Sequence, residues 1–214
     1  DPPQPRPSLG HQSGIHRNAE PLYAFPRKRI VKYFLPENLL RVSALRGLGY
    51  YANAFAIESF MDELADAAGV DPVAFRLRYL KDERARAVIE AAVEKAGRPH
   101  PAHADVAHAG VRSPSPIRMG EGETEARVGH LYAAHADVTP APVLGGMGEG
   151  EEAWGRGVAF AQYKNRQSYV AVVIDLTVDR SSGRIALQRA VVAADSGQIV
   201  NPDGLSNQLE GGFT

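Results

Sequence analysis

The feature that most constrains the fold is the stretch from Tyr169 to Ala194. Tyr169–Asp179 carries Val170, Val172, Val173, Ile174, Leu176 and Val178, a β-branched run suited to a buried strand. Asp179-Arg180-Ser181-Ser182-Gly183 reads as a hairpin turn. Arg184–Ala194 then returns with Ile185, Leu187, Ala190 and Val192 broadly on alternate positions. A chain with this hairpin must contain a sheet with a covered face. A shorter strand over Gly157–Tyr163 precedes it.

Helices are predicted upstream. From Asn53 to Gly69, apolar residues recur at Phe55, Ile57, Phe60, Met61, Leu64 and Ala68, close to helical period, with Gly69 as the stop. Asp71 caps a second helix with Pro72 at its first position and an apolar face of Val73, Phe75, Leu77 and Leu80. A third helix runs from about Asp82 to Ala96 and ends at Gly97. Its Glu90 and Glu94 lie one turn apart. With Arg84, Arg86 and Lys95 nearby they read as a solvated face rather than a di-acid site. Arg29–Leu35 is β-rich and reads as a strand.

Residues 98–152 differ in kind. They hold most of the histidines, many Gly, Ala and Pro, and few large apolar residues. Ala102-His103-Ala104-Asp105-Val106 returns as Ala134-His135-Ala136-Asp137-Val138, and Met119-Gly120-Glu121-Gly122-Glu123 returns as Met147-Gly148-Glu149-Gly150-Glu151. The two offsets, 32 and 28 residues, disagree, so no single repeat period is present. The reading is a long flexible insertion. His100, His103, His108 and Asp105 are sound ligand types. With no scaffold to orient them, no native metal site is assigned there.

Function-bearing chemistry is sought in two stretches. Leu45-Arg46-Gly47-Leu48-Gly49 places one guanidinium fork beside backbone that glycine leaves free to turn and to approach a ligand. A helix starts just after it, so free N–H groups and a positive helix end face the same place, which suits an anion. After the last strand come Asp195-Ser196-Gly197, Asn201-Pro202 and Gln208-Leu209-Glu210-Gly211. Taken alone, Asp195 and Asn201 cap turns and Gln208 decorates a helix. Gln208, Glu210 and Gly211 are expected in or near the first turns of that helix.

In combination and order, these two motifs resemble the molybdenum hydroxylases, the xanthine dehydrogenase and aldehyde oxidase family, in their molybdopterin-binding large subunit. The similarity is greatest to the bacterial branch of isoquinoline 1-oxidoreductase and nicotinate dehydrogenase. It covers roughly residues 14–97 and 153–214. It implies an α+β fold, helices packed on mixed β-sheet with a long irregular insertion. The division is a flexible segment 1–20, a molybdopterin-binding domain in two parts (21–97 and 153–214), and the insertion 98–152.

The resemblance also implies a role for single residues. Arg46, Gly47 and Gly49 would contact the cofactor, and Gln208 and Gly211 would line its channel. Leu48 stands where xanthine-type enzymes have a phenylalanine, so it would face the substrate pocket, and its lack of an aromatic face argues against purines. The implied cofactor is molybdopterin with molybdenum, in the cytosine dinucleotide form, acting on an N-heterocycle or aldehyde with water-derived oxygen. Iron–sulfur clusters would lie on a partner small subunit, for this chain has no cysteine. The family's catalytic glutamate lies in a Gly-x-Gly-Glu motif near the end of the subunit. Gly146-Met147-Gly148-Glu149 precedes the Asp-Ser-Gly block and lacks the following proline, so that role is not carried to Glu149 and no catalytic residue is assigned.

A net charge of −1 gives no electrostatic case for nucleic acid. No apolar run is long enough to span a bilayer and no signal peptide is visible. The expected location is the cytoplasm, with the periplasm as the alternative. The chain begins at Asp1 and ends at Thr214 inside an unfinished helix. It reads as a fragment of a longer oxidoreductase subunit, inactive alone. The alternatives are a non-catalytic cofactor-binding module and a truncated inactive remnant.

Overall fold

A computed structural model describes residues 14–35, 46–97, 131–136 (as backbone), 152–163 and 167–212. Four strands form one antiparallel sheet: β1 (Leu131–Ala136), β2 (Glu152–Tyr163), β3 (Ser168–Asp179) and β4 (Ile185–Asp195), in the spatial order β1-β4-β3-β2. Among the described residues four α-helices accompany it: α1 (Tyr50–Ala67), α2 (Pro72–Tyr79), α3 (Glu83–Ala96) and α4 (Pro202–Glu210). The architecture is α+β, as expected, but among the described residues the sheet is antiparallel throughout rather than mixed.

The β3–β4 hairpin forms as its pattern predicts. Asp179 Oδ1 accepts from the Ser181 and Ser182 amides and the Ser181 hydroxyl, and Gly183 takes φ +69° to close the turn. Those bonds, that from Ser181 first, pull the Asp179 carboxyl down to about 2. Along β3, Tyr169, Ala171, Val173, Asp175 and Thr177 are buried on one face. α3 lies across that face. Its buried residues Ala85, Val88, Ile89, Ala92 and Ala96 follow helical period and meet Val158, Phe160, Ala171, Val173, Val191 and Ala193 in the core. Asp82 caps α3 and Gly97 ends it at φ +64°.

α1 ends in a Schellman motif. The Val70 amide donates to Ala65 O and the Gly69 amide to Asp66 O, with Gly69 at φ +62°. Asp71 then caps α2, its side chain accepting from the Ala74 amide at 2.8 Å.

The buried face of α1 is only in part the predicted one. Met61 is buried and Ile57 and Leu64 pack against the core, but Phe55 and Phe60 are exposed, while Glu58 and Ala65 point inward. A buried ionic joint causes this rotation. The Glu58 carboxylate accepts from Tyr23 Oη (2.8 Å), Arg76 Nε (2.9 Å) and the Phe160 amide (3.0 Å). Arg76, wholly buried, also donates to Asp62 at 2.6 Å and to Glu58 O at 2.9 Å. Burial pushes the Glu58 carboxyl above its ordinary range, against the pull of Arg76, Tyr23 and the Phe160 amide. It pulls Arg76 down, but Glu58 and Asp62 outweigh it and hold that guanidinium charged. The joint ties the Tyr23 segment, α1 and α2 to β2.

Other expectations need correction. Residues 29–35 form no strand, and Ile30, Val31, Tyr33, Phe34 and Leu35 are exposed. A β-rich pattern becomes a strand only where a neighbour supplies the ladder, and among the described residues no strand pairs with it. Residues 131–136, within the span read as an insertion, form β1, because β4 offers them a free edge from Ala190 to Asp195. β2 begins at Glu152, five residues before the predicted start, since Asp179 and its neighbours on β3 supply partners along its whole length. The remaining parts of segments 1–20 and 98–152, including Glu149, His100, His103, Asp105 and His108, lie outside the described residues.

Candidate functional site

The Arg46–Gly49 turn leads directly into α1, which starts at Tyr50 rather than near Asn53. Gly47 has φ +83° and Leu48 φ +51°. The first is a conformation glycine adopts freely. The second costs a bulky L-residue roughly 1–2 kcal/mol. Arg46 is exposed.

Gly49 is buried for a reason absent from the sequence pattern. A Cβ built there would lie 1.8 Å from Ile15 O. The close approach that glycine permits is therefore made to the chain's own Gly14–His16 turn. The Gly49 amide donates to Gly14 O at 3.2 Å, and Asn53 Nδ2 donates to Ile15 O and Arg17 O at 2.8 and 2.9 Å. The Tyr50 amide is used by Gly47 O at 2.9 Å. What remains to face outward is the Arg46 guanidinium and the strained Leu48.

The second cluster follows β4. Asp195 is buried at the strand end, and its Oδ1 accepts from the Gly197 amide at 2.9 Å, Gly197 taking φ +75°. Asn201 caps α4 through the Gly204 amide at 2.9 Å, with Pro202 in the first turn. Gln208 and Glu210 are exposed, and they lie in the last turn of α4, with Gly211 as its C-cap. The helix starts at Pro202 and has only nine residues, which moves the Gln-x-Glu-Gly block from the expected first turns to the far end.

The two clusters share one end of the sheet. Tyr163 ends β2, Asp195 ends β4, and Tyr169 at the start of β3 pairs with Asp195. The Tyr50 ring meets the Tyr163 ring edge-on with centroids 6.0 Å apart, which sets the Arg46 turn beside the β2 edge. α4 packs toward β1, the opposite edge. Three strand spacings, roughly 14 Å, separate the two edges. The structure thus gathers both clusters at one sheet end without bringing their side chains into contact there. Two cavities, of about 30 and 230 Å³, lie instead between the N-terminal segment and α1, the smaller one also reaching β2, and neither is lined by residues of the two clusters.

Sequence reasoning missed the residue that organises the second cluster. Arg84, read as part of a solvated helix face, holds Asp195 in a two-pronged grip: Nε to Oδ2 and Nη2 to Oδ1, both 2.6 Å. Its guanidinium carbon lies 4.5 Å from the centre of the Tyr169 ring. Tyr169 Oη donates to Asp82 Oδ2 at 2.9 Å, while Asp82 Oδ1 caps α3. Burial first and Asp82 next push the Tyr169 hydroxyl up to about 12. The Asp195 bonds raise the guanidinium further above its ordinary range. The solvated reading does hold for Glu90, which pairs with Arg86 at 3.4 Å, and for exposed Glu94. A third ionic cluster, also unforeseen, lies toward the other sheet end, where Asp175 accepts from Arg156 (2.5 and 2.9 Å) and Arg189 (2.9 Å).

An exposed guanidinium at a helix start and an exposed carboxamide at a helix end are donors that fit a phosphorylated, polar group. Among the described residues, no three His, Cys, Asp or Glu side chains are grouped to hold a metal ion directly.

Comparison with known proteins agrees with that chemistry. The molybdopterin cofactor-binding domain matches residues 6–80 and a second model of the same description matches residues 81–214. The chain belongs to the molybdopterin cofactor-binding domain family. It is 32% identical over 203 residues to a nicotinate dehydrogenase subunit of Pseudomonas putida, covering 91% of this chain and 14% of that protein. It is 27% identical to the beta subunit of isoquinoline 1-oxidoreductase of Brevundimonas diminuta, covering 89% of this chain and 18% of that protein. It is 25% identical to a membrane-bound aldehyde dehydrogenase (pyrroloquinoline-quinone) of Gluconacetobacter polyoxogenes, covering 86% and 20%. The chain thus spans a fifth or less of the length of these relatives. No solved structure matches it. No helix among the described residues is long and apolar enough to cross a membrane.

Proposed function

We propose that this chain forms part of the cofactor-binding surface of a molybdenum-dependent oxidoreductase, one that hydroxylates an N-heterocycle or an aldehyde with oxygen derived from water. The observation that carries this reading is the pair of consecutive cofactor-binding matches that together span residues 6–214. The names of the first two relatives support the N-heterocycle class.

In this reading Arg46 supplies charge-assisted hydrogen bonds to the cofactor's anionic groups. Gly47 keeps the backbone beside them free of a side chain. Gly49 acts one step back, by letting the Gly14–His16 turn lie against the start of α1. Leu48 is held in a strained conformation where substrate specificity is set, and such strain is stored at functional positions. Gln208 and Gly211 line the cofactor channel at the other sheet edge. The molybdenum centre, when bound, supplies the oxygen transfer and accepts the electrons. The cofactor is molybdopterin cytosine dinucleotide. Electrons leave through iron–sulfur clusters on a small-subunit partner in the cytoplasm.

The test is to express the full subunit with its cluster-bearing partner and measure molybdenum and released nucleotide. Near-stoichiometric molybdenum with cytosine nucleotide is expected. Arg46→Ala should lower both by roughly tenfold with the circular dichroism unchanged. A complex with full clusters but no molybdenum or nucleotide would sink the reading.

A further inference from the structure

Asp195 is the last residue of β4 and the first of the turn that leads to α4. Three groups fix it. Its backbone is paired with Tyr169 on one side and Leu131 on the other. Its Oδ1 holds the Gly197 amide, so the carboxylate sets the direction in which the chain leaves the sheet. Both oxygens are gripped by Arg84, 111 residues away in sequence. Arg84 is itself held from two sides, by the face of Tyr169 and by its place in the first turn of α3, which Asp82 caps while bonding Tyr169 Oη. A closed circuit thus runs from the α3 cap through Tyr169, Arg84 and Asp195 to the Gly197 amide. A planar fork on a carboxylate defines orientation as well as distance, which a lysine ammonium cannot reproduce.

We infer that Arg84 is a positioning residue: through Asp195 it aims the 196–201 turn, and with it α4 and its Gln208–Gly211 end, at the cofactor. The inference rests on the proposed cofactor role of Gln208 and Gly211. It adds to that role a residue from α3 that acts through Asp195.

The test uses the full subunit with its partner, in Arg84→Met and Arg84→Lys forms. Hydrogen exchange is read first, because it does not depend on any cofactor. Faster exchange in Arg84→Met confined to residues 196–211, with α3 and β4 still protected, is expected; Arg84→Lys should restore only part of the protection. Equal loosening of α3, β3 and β4, or no change at 196–211, would overturn the inference by making Arg84 a general packing residue. Molybdenum and nucleotide content are read next. With a loaded wild type, Arg84→Met should retain roughly tenfold less of both. Unchanged retention would overturn the aiming role. A wild type that carries no cofactor would sink the proposed function, while the exchange pattern still decides whether Arg84 directs the turn.

Discussion

The two clusters at the sheet end are built by opposite means. The Arg46–Gly49 turn is fixed by backbone: Gly49 lies where no side chain fits, and the bonds around it run to Gly14, Ile15 and Arg17 carbonyls. The Asp195–Gly197 turn is fixed by charge, through a guanidinium fork that reaches across from another helix. Steric fixing is local, abrupt and indifferent to salt. Ionic fixing is graded and weakens as its solvent-exposed part is screened. The first cluster should therefore fail all at once when altered, and the second by degrees.

The largest expected effect is Gly49→Ala. The new methyl meets the Ile15 carbonyl, so the Gly14–His16 turn must move off α1, at a cost of about 3 kcal/mol or more. Thermal melts should show the loss, unchanged between low and high salt. A variant as stable as the parent would break the contrast. Asp195→Asn should cost less, about 1 kcal/mol, because Arg84 is partly in water. Part of that difference from the parent should be lost in 1 M salt, which screens the exposed side of Arg84 (Debye length about 3 Å). Leu48→Gly should move the other way, raising stability by about 1 kcal/mol through relief of the left-handed backbone. If Leu48 faces substrate, KM should change with it. No gain in stability would mean that packing of the Leu48 side chain offsets the strain.

The smallest effect concerns pH. Burial pushes the Asp175 carboxyl up, but Arg156 and Arg189 outweigh it and hold it below its usual range. A lowered native value means stability that is present above the ordinary carboxylate range, about pH 3.9, and is lost as pH falls through the native value. Asp175→Asn should flatten the acid limb of a stability–pH curve. Glu58, raised by burial, has the opposite sign. Its contribution is full below the ordinary range and declines as pH rises through its native value, so Glu58→Gln should remove a decline that begins above the ordinary carboxylate range. Identical acid limbs for the parent and Asp175→Asn would show that the Asp175 cluster is not ionically fixed.

This difference also explains what could be read from the sequence. The helix cap at Asp71, the stops at Gly69 and Gly97, and the 179–183 hairpin all form where expected, because each depends on neighbours within a few residues. The two motifs proposed to face the cofactor are visible in the sequence for the same reason. The parts that were missed depend on distant partners. Phe55 and Phe60 satisfy the helical period of α1, yet Glu58 turns inward to meet Tyr23, Arg76 and β2. Arg84 looks like any surface arginine until β4 is placed. β1 has the composition of an insertion and becomes a strand only because β4 has an open edge. Gly49 was read as room for a ligand, whereas its room is filled by Ile15.

The Glu58 joint also bears on how the chain is assembled during synthesis. Tyr23, Glu58 and Arg76 emerge early, but the Phe160 amide that completes the carboxylate's partners comes 102 residues after Glu58. Until β2 arrives, the region up to Leu80 holds a charged pair whose burial is incomplete, and removing charges from water without their full set of partners is costly. The two matched regions, 6–80 and 81–214, are therefore joined through a shared buried carboxylate. The first of them, released alone from the ribosome, should stay open and dependent on chaperones until the strand that closes it has been made.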